Sequence, residues 1–161
     1  MLRRIFLFLI ASFPLCMANA SPYILKSSHD FREYEYVELE NGLQVLLCSD
    51  PFAEMASVSL VVAAGSRQEP ENAPGLAHLL EHLLSRASTK YPDDYGFFRF
   101  INSVGRYRAT TRSSFTSYSF SLKSFYLKEG LDRFSQFFIA PLLLGSDIEE
   151  EWYAIHAEYT A

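Results

Sequence analysis

The chain has 161 residues, 49% of them hydrophobic and 20% charged, the proportions of one globular domain and not of a disordered or fibrous chain. Its formal net charge of −5 disfavours a nucleic-acid or anionic-membrane partner. With only Cys16 and Cys48 available, a disulfide-rich scaffold is excluded as well.

Residues 1–20 have the order of a secretory signal peptide: a basic start "MLRR", an apolar run "IFLFLIASFPLCM" and a small-residue cleavage site "ANA". The run is shorter than the roughly 20 apolar residues of a membrane span and contains Pro14, so a permanent membrane anchor is not expected. Leu15 before Cys16 argues against lipid attachment. Cleavage is expected after Ala20, giving an exported domain over residues 21–161. Its destination is the periplasm if the source is a double-membrane bacterium, and the medium otherwise. Processing removes Arg3 and Arg4 but none of the 19 acidic side chains, which takes the net charge to −7. Cys48 is then the sole cysteine, so no intrachain disulfide forms, and "LQVLLCSD" reads it as a small buried strand residue.

Further along, "YEYVELENGLQVLLCSD" is two β-rich runs joined at Asn41-Gly42, a strong hairpin pattern, and "ASVSLVVAAGS" a buried strand ending at Gly65-Ser66. After the loop "EPENAP", residues 75 to about 88 predict a helix. "DDYGFFRFINSVG" predicts another, opened by Asp93 and closed by Gly105. "RYRATTRSSFTSYSFSL" gives two β-rich runs, and "SFYLKEGLDRFSQFFIAPL" a helix stopped by Pro141. "SDIEEEWYAIHAEYTA" gives a last helix with Ser146 or Asp147 as N-cap. The fold class is therefore α+β, a mostly antiparallel sheet covered by helices. The last helix runs to residue 161 without a Gly cap or polar tail, so the domain is expected to be cut short there.

The helix "GLAHLLEHLL" is interrupted by His78, Glu81 and His82. Residues four apart lie one turn apart on one face, so the two imidazoles can point at a common centre with Glu81 beside them. Neutral imidazole nitrogens suit zinc, and a catalytic zinc takes three protein ligands and leaves the fourth position to water. An adjacent carboxylate can accept that water's proton as it attacks a peptide carbonyl, the role open to Glu81. Without a metal the helix would bury polar groups that lack an obvious partner. A third ligand must come from elsewhere. The last helix offers Glu149, Glu150, Glu151, His156 and Glu158, a run that on composition alone reads as a solvated face. Glu151 and Glu158, seven apart, fall about 20° from the same side, with His156 roughly opposite Glu158, and spacing leaves open which carboxylate reaches the metal.

On these residues the sequence resembles the insulinase (pitrilysin-like) family of zinc metallopeptidases, which carry the inverted motif H-x-x-E-H. "ENGLQVLLCSD", "AAGSRQEPENAPGLAHLLEHLL", "TKYPDDYGFFRFINSVG", "FTSYSF" and "GLDRFSQFFIAPLL" all look like consecutive segments of its insulin-degrading and pitrilysin branch, over about residues 34–161. The resemblance implies one zinc per chain held by His78, His82 and Glu158, Glu81 as general base, and Glu151 supporting the site from behind the ligands. It also implies that an extended peptide substrate adds to the strand "RYRATTRSS" with Arg108 and Ala109 nearest the scissile bond. An ordinary half-buried strand is the competing reading of that segment.

Ser85, Ala87, Arg108 and Tyr153 depart from the family pattern, which uses an aromatic, a glycine and two asparagines there. Family members close two similar halves on their substrate, so this chain corresponds to an incomplete first half and a second-half chain or subunit is an expected partner. The leading expectation is an exported zinc-dependent endopeptidase domain. Its alternative is a truncated, non-catalytic exported module that binds zinc or a partner chain.

Overall fold

The computed structural model describes the backbone of residues 5–11 and residues 24–160, with side chains over residues 24–158. A six-stranded sheet in the order β2-β3-β1-β4-β6-β5 forms its frame. β2 (Glu33–Glu38) and β3 (Gln44–Ser49) make the expected hairpin, with Gly42 at φ 80°, the left-handed conformation a turn of this kind asks of glycine. β4 (Met55–Val62) and β6 (Thr116–Lys123) pair antiparallel in the middle of the sheet, and β5 (Gly105–Thr111) lies outside β6 as an edge strand. All neighbours run antiparallel except β1 (Ile5–Ala11) and β4.

β1 departs from the sequence expectation. Its residues belong to the segment expected to be removed on export, yet the strand lies between β3 and β4, with Leu7 opposite Leu47 on one side and beside Val58 on the other. A physical reason is available: β3 and β4 do not pair with each other, and the backbone groups facing the space between them need a strand as partner. The cleavage site after Ala20, with Pro14, Leu15 and Cys16, lies outside the described residues.

Helix α1 (Leu76–Leu84) carries the motif, α2 (Gly96–Val104) precedes β5, α3 (Leu127–Ile139) follows β6, and α4 (Gly145–Thr160) closes the described chain. The core lies between one sheet face and α2 and α3. Val58, Leu60, Tyr118, Phe120 and Leu122 alternate inward along β4 and β6 and meet Phe97, Ile101, Phe134 and Phe137. Phe97 and Phe137 pack edge to face with centroids 4.8 Å apart. Gly130 lets α3 come close to β6, since a Cβ there would stand 2.6 Å from the Leu122 side chain. Cys48 is buried with a free thiol, as expected of a strand residue.

Helix boundaries differ from expectation for local reasons. α1 stops at Leu84, not near Ser88, because the Ser85 hydroxyl donates to the His82 carbonyl and the chain turns, with Ser88 N–H reaching Tyr91. α2 starts after Tyr95, whose φ of 54° puts it in the left-handed region, and Asp93 contributes its carbonyl to Gly96 N–H instead of capping by side chain. α4 begins at Gly145, so Ser146 and Asp147 lie inside its first turn. Among the described residues no helix is long and apolar enough to cross a membrane.

Candidate metal centre

The motif helix is fixed at its start by a residue outside it. Gly75, at φ 88°, turns the chain into α1, and the Glu69 carboxylate accepts the N–H groups of Gly75 and Ala77, both at 2.9 Å. A carboxylate on the positive end of the helix satisfies donors that otherwise lack partners. From that anchored start, Leu79 and Leu83 pack on Ile155 of α4 in a small apolar cluster separate from the main core. α4 thereby lies against α1, and its buried face carries Glu151 and Ile155, with Glu158 one turn further on.

His78 and His82 turn their Nε2 atoms to face each other at 3.1 Å, with the rings nearly perpendicular. Glu158 Oε2 stands 3.5 Å from His78 Nε2, and one ligand atom from each of the three residues lies within 4.8 Å of the others. A tetrahedral zinc with metal–nitrogen bonds of about 2.0–2.1 Å has edges of roughly 3.3 Å, which these two separations match, while the third, between Glu158 and His82, lies within 4.8 Å. The histidines are half-buried and the Glu158 side chain is 56% exposed.

Tautomer chemistry points the same way. Glu151, buried, accepts from His82 Nδ1 at 2.9 Å. An ionised carboxylate only accepts, so Nδ1 carries the proton and Nε2 keeps its lone pair for a metal. Burial pushes the Glu151 carboxyl up, but the hydrogen bonds from His82 and Tyr95 and the charge of Arg86 outweigh it and leave the group below its ordinary value. The chemistry of this donor set therefore fits zinc, with two imidazoles, one carboxylate and an anchoring carboxylate behind one imidazole.

Glu81 is buried on the side of α1 that faces β5, and it is not part of the three-residue cluster. The Thr111 hydroxyl at the end of β5 donates to its Oε2 at 2.5 Å. A pocket of about 440 Å³ opens beside it, lined by Glu81, His82, Tyr95, Phe98, Tyr107 and Arg108 among others. Ala109 and Glu151 line it as well, so both residues expected on the substrate strand, Arg108 and Ala109, reach the pocket from the sheet edge. The Tyr107 hydroxyl is buried there without a well-formed hydrogen bond, and burial pushes its pKa well up.

The seven residues of the expected site thus lie together: His78, His82 and Glu158 in the three-residue cluster, Glu151 behind His82, and Glu81, Arg108 and Ala109 around the pocket, whereas His156 lines a different cavity. Three further residues of this place escaped sequence reasoning. Thr111 holds Glu81, the Tyr95 hydroxyl donates to Glu151 Oε1 at 2.9 Å, and Arg86 donates to the same oxygen at 3.1 Å. Only Arg86 left a trace in the sequence, as a charge two residues beyond the apolar pair that ends "LLEHLL".

Comparison with known proteins bears on the family and the fold. A family model described as insulinase, peptidase family M16, matches residues 44–161. The insulin-degrading enzyme of Drosophila melanogaster is 42% identical over 137 residues, which are 84% of this chain and 14% of that protein. That of Homo sapiens is 39% identical over 138 residues, 85% of this chain and 14% of that protein. Among solved structures, pitrilysin superimposes with a TM-score of 0.80 at 36% identity, covering 85% of this chain and 15% of the other. A protease from Helicobacter pylori gives 0.70 at 25% identity, over 78% of this chain and 30% of the other. The chain therefore spans about 14% of the length of these insulin-degrading enzymes.

Proposed function

The chain belongs to the insulinase family, peptidase family M16, and from that premise we propose that it is the metal-bearing part of a zinc-dependent endopeptidase acting on extended peptides. The observation that carries the reading is the pair of Nε2 atoms 3.1 Å apart, with Glu158 beside one of them and Glu81 next to an open pocket. His78, His82 and Glu158 hold one zinc per chain. When bound, the metal polarises the scissile carbonyl and acidifies a water.

The chain's own residues do the rest. Glu81 takes the proton of the attacking water and returns it to the leaving amine, while Thr111 fixes which of its oxygens faces the pocket. Glu151 keeps His82 in the tautomer that leaves Nε2 free. β5, an edge strand, offers unpaired main-chain groups to an extended peptide, which passes Arg108 and Ala109 on its way to Glu81. Glu158, 56% exposed, leaves one side of the centre open to solvent. A second-half chain or subunit covers that side and supplies further substrate contacts and oxyanion donors. Export through residues 1–20 belongs to the same proposal, with β1 then a feature of the unprocessed chain only, and intact-mass measurement of the secreted protein is expected to show a chain that begins at Ser21.

The test is cleavage of a quenched extended peptide by the purified chain, with and without zinc and with a complementary second-half chain, alongside metal analysis. Glu81→Gln is expected to abolish cleavage and keep the zinc, whereas His78→Ala is expected to lose it. Full zinc occupancy in His78→Ala would refute the ligand set. Loss with Glu151→Ala but not Glu158→Ala would exchange the two carboxylates. Zinc binding without any Glu81-dependent cleavage, even with the second half, would assign the chain to a non-catalytic metal- or partner-binding module.

A further inference from the structure

Arg86 lies just beyond α1 with a guanidinium that is only 3% exposed. It donates to both Asp94 oxygens, through Nε at 3.0 Å and a terminal nitrogen at 2.7 Å, and reaches Glu150 at 2.9 Å and Glu151 at 3.1 Å. Asp147 stands 3.7 Å away, and the guanidinium lies over the Tyr95 ring at 4.6 Å. Its main chain joins the same knot, because Tyr95 N–H donates to the Arg86 carbonyl at 3.1 Å. One cation therefore ties the end of α1, the loop before α2 and the first turns of α4 together.

Such a knot is a poor device for stability. Desolvating a guanidinium and its carboxylates costs several kcal/mol, and buried ion pairs are often matched by apolar residues of similar size. What it supplies is geometry. Glu151 Oε1 is held from two directions, by Arg86 and by the Tyr95 hydroxyl, which leaves Oε2 to accept from His82 Nδ1. Tyr95 is also the one residue other than glycine with a positive φ among the described residues, a conformation that persists only where surroundings enforce it.

We propose that Arg86 is a positioning residue of the metal centre: through Glu151 it sets the orientation and tautomer of His82, and by binding α4 it helps bring Glu158 to the histidines. The chain of contact runs Arg86 to Glu151 to His82 to the face of His78, each link 3.1 Å or shorter. Lysine is not equivalent at this position, since one ammonium cannot make the paired contacts to Asp94 while also reaching Glu151 and Glu150. The inference rests on the zinc reading of the site for its affinity measurement but not for its tautomer measurement.

The experiment compares the parent chain with Arg86→Met, Arg86→Lys, Glu151→Gln and the double variant Arg86→Met/Glu151→Gln. Zinc affinity is read by competition with a chromophoric chelator, and the His82 tautomer by long-range ¹H–¹⁵N spectra of the metal-free protein. Arg86→Met is expected to weaken zinc by about 10- to 100-fold, the usual effect of removing support behind a ligand, with Arg86→Lys recovering part of it. In the Glu151→Gln background the Arg86 substitution is expected to cost less than in the parent, because the route through Glu151 is already lost and only the hold on α4 through Glu150 remains. The metal-free Arg86 variants are expected to lose the Nδ1–H tautomer as the dominant form of His82. Where Arg86→Met does not fold, Arg86→Lys carries the same comparisons. Parent-like affinity and tautomer in a folded Arg86 variant would overturn the proposal, and so would fully additive losses in the double variant. A parent chain that binds no zinc would sink the metal reading, and the tautomer would still decide the role of Arg86.

Discussion

Replacing Ile155 by alanine perturbs the metal centre without touching it. Ile155 is 5% exposed and meets Leu79 and Leu83, the apolar contact that holds α4 on α1. A cavity of about 130 Å³ already lies alongside, lined by Pro74, Gly75, Trp152 and His156 as well. Truncating a buried isoleucine to alanine costs about 2–5 kcal/mol. At about 3 kcal/mol the docking equilibrium of α4 shifts by roughly 150-fold, and apparent zinc affinity falls by the inverse of the docked fraction. The largest expected loss is therefore about two orders of magnitude, reached if docking is marginal in the parent. Trp152, the only tryptophan, sits on α4 and reports docking directly. The assay is chelator competition combined with Trp152 emission, which is expected to shift to the red in metal-free Ile155→Ala and to return at saturating zinc. The main core uses other residues, so the sheet is expected to keep its circular dichroism. A variant whose emission shifts while its zinc affinity stays within about two-fold of the parent would refute the reasoning, because α4 docking would then not be what delivers the third ligand.

Three other outcomes are expected. Thr111→Val removes the hydroxyl that donates to Glu81, a hydrogen bond to a charged group worth about 1.5–3 kcal/mol, and should lower Glu81-dependent peptide cleavage about ten-fold or more with zinc stoichiometry unchanged. Gly65→Ala would set a Cβ 2.0 Å from the Arg112 carbonyl oxygen and 2.8 Å from Phe115 N, both backbone, so the loop before α1 must part from the β5–β6 turn; calorimetry should show a loss of about 1–3 kcal/mol. The Arg86 guanidinium holds the Asp94 carboxyl below its ordinary value, so this pair contributes stability above the unfolded value of about 4 and loses it as pH falls through the folded value. Melting temperature measured from pH 5 to pH 2 should therefore drop less steeply in Asp94→Asn than in the parent, and parallel curves would remove Asp94 from the acid response.

What could be read in advance is what one element determines by itself. The helical period alone places His78 and His82 on one face, and it puts Glu151 and Glu158 on one side of α4. Choosing between those carboxylates requires knowing how far α4 slides along α1, and that is set by Ile155 fitting against Leu79 and Leu83. Arg86, Tyr95 and Thr111 meet their partners across 65, 56 and 30 residues of sequence, and no local pattern encodes such a contact. Glu81 shows the same limit from the other side. On the helix it looks like a carboxylate beside a metal, and only the arrival of Thr111 from the sheet edge gives its buried oxygen a donor. The strand Ile5–Ala11 was illegible for a different reason, since an apolar run of that length suits an export signal and a sheet interior equally.

On the proposed ligand set, the three residues are unequal in how firmly they are placed. His78 and His82 share a helix whose first turn is pinned by Glu69, so their backbone spacing does not depend on α4, although the orientation of the His82 ring does, through Glu151. Glu158 has no such support: its side chain is mostly exposed, and its position depends on Ile155 and Glu151 one and two turns earlier. Metal affinity in this chain is then governed less by the two histidines than by the docking of α4. Because binding to the docked form alone stabilises that form, a zinc held by the proposed ligands would itself draw α4 onto α1. Substitutions at Ile155 and Arg86 weaken the same equilibrium from its apolar and its charged side, and combining them is expected to cost less than the product of their separate effects once α4 is free.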